Sequence, residues 1–186
     1  MAVKTMAKNT GTGQYNAGWH ELTISKAVDG KWGDKRTIDL NFEGYPDNMR
    51  HRVFEASNKT TGEEFKIANL FRFACAGIIS VLQDPTGKNP VIQYDDEVTN
   101  LVGTRVNVLF VKETNTTDGK EYSRTFDLVP VVQETEHLTW TDDDVARLKI
   151  GVEKQHAKRT ATTTNGVGTV NLDTTTTVTG DAEIPF

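Results

Sequence analysis

The chain has 186 residues, a single cysteine and no long apolar run. With Cys75 alone, neither an internal disulfide nor a cysteine-rich zinc site can form within the chain. No stretch reaches the roughly eighteen apolar residues that a membrane-spanning helix needs. Residues 1–18 carry Lys4 and Lys8 but no apolar segment, so a secretory signal is not expected. We therefore expect a protein of the reducing cytoplasm without contact to a membrane.

Sequence features of catalysis are scarce as well. The four histidines, His20, His51, His137 and His156, have no partner at a recognisable catalytic or metal-ligand spacing, and no glycine-rich phosphate loop follows a predicted strand. The acidic run Asp95–Glu97 could bind a divalent ion together with distant residues, as in nucleases, but acidic loops are much commoner than metal sites. We expect a protein that is not an enzyme and holds neither metal nor cofactor.

Charge is distributed unevenly along the chain. The formal net charge is −5, and residues 160–186 contain three acidic side chains and no lysine or arginine. Residues 1–60 contain nine Lys/Arg against seven Asp/Glu. A slightly basic section together with an acidic end is compatible with phosphate binding and with a separate acidic tail.

Alternating polar and apolar residues predict three consecutive antiparallel strands after a flexible leader at residues 1–17. The strands begin at Gly18 and end with Met49–Ala56, and glycine- and aspartate-rich turns separate them. Apolar residues at helical spacing then predict one long helix over Phe65–Leu82, with a capping box at Thr61 and Glu64. Cys75 falls inside this helix and is predicted to be a buried, inert thiol.

Two more strands, Thr104–Lys112 and Glu121–Val132, flank a polar hairpin loop. Within residues 133–159 a second helix is predicted to begin at Thr141, because three aspartates follow at once and suit the positive end of the helix dipole. Residues 160–186 lack a periodic apolar face and are predicted to be a disordered tether with an acidic tip.

Five strands with a helix between the third and the fourth are the layout of an OB-fold. We therefore predict a mainly β structure with helices, in which residues 18–132 form an OB-fold-like barrel. In that fold the ligand lies over strands two and three, beneath the first-to-second and fourth-to-fifth loops.

Basic and aromatic residues fall at these positions. Arg50, Arg52 and Phe54 alternate onto one face of the third strand, where arginines could neutralise phosphates and a ring could stack on a base. Phe54 could instead lie in the core, Tyr122 could be a core residue with its hydroxyl at the rim, and Trp19 could pack or stack. The candidates in or near the two loops are Lys31, Trp32, Lys35, Arg36, Lys112, Lys120, Tyr122 and Arg124.

The sequence ends on a short acidic segment, Gly180–Phe186. It resembles the C-terminal tip of bacterial single-stranded DNA-binding proteins, in which the tip is a peptide handle for replication and repair enzymes. The alternative is a frayed terminus without function. The residues that carry the resemblance, and that would bind partners, are Asp181, Glu183, Ile184, Pro185 and Phe186.

Residues 15–130 are similar to a protein of a phage replication or recombination module, through Gly18–Glu21, Asn41–Glu43 and Ala76–Gly77. This resemblance implies a phage single-stranded DNA-binding protein that acts in DNA replication, recombination or repair in the host cytoplasm. It implies single-stranded DNA and replication or repair proteins as partners, and self-association into a homo-oligomer is compatible with it. The alternative is a non-catalytic interaction module or virion structural module, with the threonine-rich segment as an arm.

Overall fold

The computed structural model describes residues 15–82, 91–115, 117 and 119–164. In these ranges the protein is mainly β, with a five-stranded antiparallel sheet, two two-stranded sheets and two helices. This agrees with the predicted class. The strands of the large sheet, in the order β3-β2-β1-β6-β7, are β1 (Gly18–Trp32), β2 (Lys35–Phe42), β3 (Arg50–Phe54), β6 (Arg105–Thr114) and β7 (Glu121–Pro130).

The smaller elements lie between and after these strands. A short hairpin separates the first helix from β6, and a second, very short hairpin precedes the second helix. These elements are α1 (Lys66–Ala74), β4 (Ile78–Leu82), β5 (Val91–Tyr94), a 3-10 helix (Val98–Leu101), β8 (Gln133–Glu134), β9 (Thr139–Trp140) and α2 (Asp142–Thr164).

Strand β1 belongs to two ladders at once. Its first part, Gly18–Thr23, pairs with β6, and its second part, from Ile24 to Trp32, pairs with β2. The register shifts between Ile24 and Lys26, which marks a β-bulge. Because an extra residue reverses the alternation of side chains, the core face remains continuous along a bent strand.

The core lies between the inner face of the large sheet and α1. Alternate residues of β2 and β6 and the apolar stripe of α1 are almost completely buried, as period-two and period-3.6 patterns require. The main contributors are Ile38, Leu40, Phe42, Val106, Val108, Phe110, Ile67, Leu70 and Phe71.

Tyr15 packs against this core, although the sequence places it in the leader. Its ring lies 4.9 Å from that of Tyr45 and 6.1 Å from that of Phe110. The backbone of Tyr15 is held by Ser123, whose hydroxyl accepts from the amide at 2.9 Å and donates to the carbonyl at 2.8 Å. Tyr15 is therefore part of the folded domain, and residues 1–14 of the predicted leader lie outside the described residues.

The two edges of the large sheet approach each other without pairing. The hydroxyl of Thr125 in β7 donates to the carbonyl of Arg50 in β3 at 3.2 Å, and Lys66 at the start of α1 lies 3.1 Å from Asp127 of β7. Within the part of the chain that the structure describes, no ladder joins β3 to β7. The sheet curls but is not closed.

Helix α2 covers part of the outer face of the sheet. Val145 is buried there, and the ring of His156 meets Phe126 of β7 edge to face at 4.8 Å. The indole of Trp19 donates to Glu153 at 2.7 Å. Trp19, in the half of β1 that pairs with β6, thus lies against α2.

The prediction of one long helix over Phe65–Leu82 is wrong for the second half of that range. Helix α1 ends at Ala74 because Cys75 takes a left-handed conformation, with φ of 49°, and Gly77 follows with φ of 62°. Residues 78–82 then pair with β5 as a strand. A short, β-branched apolar run fits either structure, and pairing with a distant segment decides between them.

The cap of α1 differs in detail from the expectation, whereas that of α2 agrees with a helix that begins at Thr141. At α1 it is Glu64, rather than Thr61, whose carboxylate accepts from the amides of Ile67 and Ala68 at 2.7 and 3.0 Å. At α2 the hydroxyl of Thr141 accepts from the amide of Asp144 at 3.2 Å, as an N-cap does.

Helix α2 ends later than predicted, and a hairpin precedes it. Residues 133–140 form the β8–β9 hairpin, and the helix continues to Thr164, beyond the predicted limit at residue 159. The remainder of the predicted tether, residues 165–186, lies outside the described residues. Over the described ranges, neither helix is both long enough and apolar enough to cross a membrane.

Two glycines provide a matched test of the turn after α1. A Cβ added at Gly77 would lie 2.3 Å from the carbonyl oxygen of Asp95, whereas one added at Gly151 in α2 meets nothing within 4 Å. We expect Gly77→Ala to lower the free energy of unfolding by more than about 2 kcal/mol, because left-handed strain adds to the clash. Gly151→Ala should raise it by about 1 kcal/mol through helix propensity. Chemical denaturation measures both, and equal stability of the two variants would contradict this account of the turn.

Candidate nucleic-acid interface

One face of the β1–β2–β3 ladder carries five of the eleven predicted DNA-binding residues. Trp32 stands opposite Lys35, and Thr37 stands opposite Phe54. Directly opposed residues share a face, and this one is opposite to the buried apolar side chains of β2, Ile38, Leu40 and Phe42. We call it the outer β1–β3 face and define it by Trp32, Lys35, Asp39, Arg50, Arg52 and Phe54.

Flat aromatic surface is accessible on this face. Trp32 is 64% exposed and Phe54 is 42% exposed. The guanidinium carbon of Arg52 lies 5.8 Å from the centroid of the Trp32 ring, within reach of a cation–π contact. Phe54 is therefore a surface residue rather than a core residue. An aromatic ring beside a guanidinium plane is a surface on which a base can stack.

A carboxylate that the sequence analysis did not include lies among the arginines. Asp39 accepts from Arg52 at 2.6 and 2.7 Å, and its Oδ2 lies 3.3 Å from Arg50. The hydrogen bonds from Arg52, with the charges of both arginines, hold the pKa of Asp39 below its usual value. The period-two pattern of β2 already places Asp39 on this face, but the partner of each residue depends on register, which the pattern alone does not give.

Lys31 and Arg36 lie on the other face of the ladder, away from Trp32. They stand opposite each other, one residue out of phase with the Trp32–Lys35 pair. The guanidinium of Arg36 is bonded to Asp29 at 2.8 Å and also to Asp96, and these bonds raise its pKa. Arg36 is thus a structural ion-pair residue that ties the first hairpin to the loop after β5.

The predicted residues of the last hairpin form a separate group. Tyr122 donates to Glu113 at 3.0 Å, and Arg124 is paired with the same carboxylate at 2.6 Å. Lys112 stands opposite Ser123, on the other side of this hairpin, with its ammonium 3.8 Å from Glu121. Tyr122 is 44% exposed and so is not a core residue. Lys120 is exposed just before β7.

The other two tryptophans are engaged within the domain. Trp19 lies under α2, with the ammonium of Lys149 5.4 Å from its ring centroid. Trp140 is buried, and its indole donates to the carbonyl of Arg72 at 3.3 Å. Of the three tryptophans in the chain, Trp32 is thus the exposed one.

The thiol of Cys75 is half buried at the end of α1. It accepts from the side-chain amide of Gln133 at 3.2 Å, and burial raises its pKa. A thiol with a raised pKa is a weak nucleophile at neutral pH. Among the described residues, no group of three His, Cys, Asp or Glu side chains is arranged to hold a metal ion.

His51 lies beneath the arginines, on the buried face of β3. Its environment disfavours the charged ring: burial lowers its pKa to about 4, and nearby Lys66 acts in the same direction, against the opposing effect of Asp127 and Asp39. The strand that carries Arg50 and Arg52 is therefore anchored by a neutral imidazole.

No family model matches this sequence, and no curated protein is significantly similar to it.

The buried imidazole predicts how stability depends on pH. The unfolded chain binds a proton at His51 below about pH 6.5, but the folded chain does so only near pH 4. Stability should therefore fall as pH decreases through this window, by roughly 3 kcal/mol for the full shift. His51→Gln should flatten the fall measured by urea denaturation between pH 7 and about 4.5, while His137→Gln, a change at an exposed histidine, should not. Equal slopes in both variants would contradict the assignment.

Proposed function

We propose that the protein binds single-stranded DNA, with little sequence preference, on the outer β1–β3 face. The observation that carries the proposal is an exposed indole, Trp32, beside the guanidinium of Arg52 and on the same face as Phe54. Exposed rings of this size cost hydrophobic free energy in a monomer, and a ligand with flat faces would recover it.

The strand order supports a more specific fold, an OB-fold-like barrel. When the two short hairpins, β4–β5 and β8–β9, are set aside, five strands remain with α1 after the third, which is the OB layout. The contact between Thr125 and Arg50 brings β3 to β7, as barrel closure would require. In that fold the face over the second and third strands takes the ligand, and it coincides with the outer β1–β3 face.

The chemistry of this face favours single strands. A base can stack on an aromatic ring only when its own face is accessible, and duplex bases hide their faces. The cations at Lys35 and Arg50 would contact phosphates, so affinity should fall as salt rises. Stacking and phosphate contacts read no base edge, and the binding would be sequence-tolerant for that reason.

The C-terminal tip would provide a second function. Phe186 would fill an apolar pocket of a partner enzyme while its α-carboxylate meets a basic rim, and Asp181 and Glu183 would steer the tip to a basic patch. A DNA-binding body with such a tip suits replication, recombination or repair of phage DNA in the host cytoplasm. This part of the proposal rests on the sequence of the tip.

The stacking role of Trp32 can be tested with oligo-dT. We expect oligo-dT to quench tryptophan fluorescence, because the exposed indole would stack on a base. Trp32→Ala should weaken binding by about 5- to 150-fold, the range that 1–3 kcal/mol per stacked base implies. Fluorescence anisotropy of a labelled oligonucleotide measures the affinity without relying on the indole.

A matched control removes an exposed apolar residue elsewhere. Ile150 on α2 is 51% exposed, and Ile150→Ala should leave affinity unchanged. Absence of oligo-dT binding by the unmodified protein, equal affinity for duplex and single strand, or lack of a salt effect would each contradict the proposed function. The first result would favour the alternative, a non-catalytic interaction or structural module.

Deletion of residues 181–186 tests the tip separately. The shortened chain should lose binding to replication and repair enzymes and keep equal or higher affinity for oligo-dT, because negative charge is removed from a protein that binds phosphate. Pull-down with the full-length and shortened chains measures the first effect, and anisotropy measures the second. A large loss of DNA affinity on deletion would contradict the separate roles of the tip in partner binding and of the outer β1–β3 face in DNA binding.

A further inference from the structure

We infer that Asp39 divides the two arginines of the outer β1–β3 face into different roles, an inference that rests on the proposed function. Arg50 exchanges the carboxylate for a phosphate of the bound strand. Arg52 stays on the carboxylate and acts as a positioning residue that holds the Trp32 stacking surface. The face would then neutralise phosphate with one arginine rather than two.

The first argument is the difference between the two ion pairs. Arg52 uses Nε and a terminal nitrogen on the two oxygens of Asp39, at 2.6 and 2.7 Å, which is a bidentate pair. Arg50 has a single contact of 3.3 Å with the same carboxylate. Two short, parallel, charge-assisted bonds are stronger than one long contact, so a phosphate should displace Asp39 from Arg50 first.

The second argument is solvent exposure. The side chain of Arg50 is 53% exposed, while those of Arg52 and Asp39 are 27% and 17% exposed. A screened, exposed ion pair contributes little and opens readily, whereas a partly buried pair is harder to separate. The backbone of Arg50 is also fixed, because its carbonyl accepts from Thr125. Arg50 thus presents an exposed cation from an anchored position.

The third argument is the position of Arg52 beside Trp32. The Nε–H and terminal N–H groups that Arg52 donates to Asp39 cannot be donated to a phosphate at the same time. The plane of the Arg52 guanidinium remains available to an aromatic ring, and the guanidinium carbon lies 5.8 Å from the Trp32 ring centroid. Asp39 would thus fix Arg52, and Arg52 would limit the orientations of the indole before DNA arrives. Such preorganisation lowers the entropy lost when a base stacks.

Salt dependence of oligo-dT binding separates the two roles. A single-strand phosphate contact contributes about 0.7 to the slope of log affinity against log salt concentration. Arg50→Gln should reduce the slope by about this amount. Arg52→Gln should weaken binding while leaving the slope nearly unchanged. It should also alter the fluorescence of Trp32 in the protein without DNA. Arg50→Lys should restore the slope, since it keeps the charge, but Arg52→Lys should not restore affinity, since lysine lacks the fork.

A double-mutant cycle tests the competition directly. Asp39→Asn removes the competitor of Arg50 but also the partner of Arg52. Its effect on oligo-dT affinity should therefore be more favourable, by about two- to fivefold, when Arg50 is present than when Arg50→Gln is present. With Arg50→Gln in place only the loss of the Arg52 partner remains, and Asp39→Asn should weaken binding. Thermal unfolding confirms that each variant is folded at the temperature of the titration.

Several outcomes would overturn the inference. One is an equal effect of Asp39→Asn on affinity with and without Arg50, and another is an equal loss of slope for Arg50→Gln and Arg52→Gln. If the unmodified protein binds oligo-dT with a salt slope but the variants behave in these ways, only the division of roles fails. If the unmodified protein does not bind oligo-dT, the proposed function fails and the inference fails with it.

Discussion

The two-sided pairing of β1 is the constraint on which the rest of the structure depends. One half of the strand pairs with β6 and carries Trp19, which lies against α2, and the other half pairs with β2 and carries Trp32. The bulge between Ile24 and Lys26 keeps the core side continuous through the bend. As a result the outer side is divided, with Trp19 packed beneath a helix and Trp32 exposed. In a straight strand without the extra residue, the core-facing side chains of one half would lie on the outer face of the sheet.

Ion pairs between arginines and carboxylates neutralise part of the charge on the protein surface. The chain is acidic overall, with a net charge of −5, and described arginines are paired with carboxylates on both faces of the sheet: Arg52 with Asp39, and Arg36 with Asp29. A count of cations therefore overstates how many phosphates the protein could neutralise. What distinguishes the outer β1–β3 face is aromatic area on the same face as a cation with a single long contact, Arg50.

The sequence predicts the faces of β2 and β3 well, because alternation is a property of the extended backbone, and it places Arg50, Arg52 and Phe54 together correctly. It predicts the end of α1 poorly, since the strand after Gly77 exists only through its pairing with β5. The role of Arg36 depends on a carboxylate 60 residues away in the chain. Such partners follow from tertiary packing, which local periodicity does not contain.

Nuclear magnetic resonance of the three indole N–H groups tests the central claim most directly. The indoles of Trp19 and Trp140 donate to Glu153 and to the carbonyl of Arg72, while Trp32 is exposed on the candidate face. On addition of oligo-dT at low salt, the Trp32 signal should move and the other two should stay close to their positions. The Trp32 signal should return when salt is raised. A stationary Trp32 signal, with binding established by another method, would contradict the account.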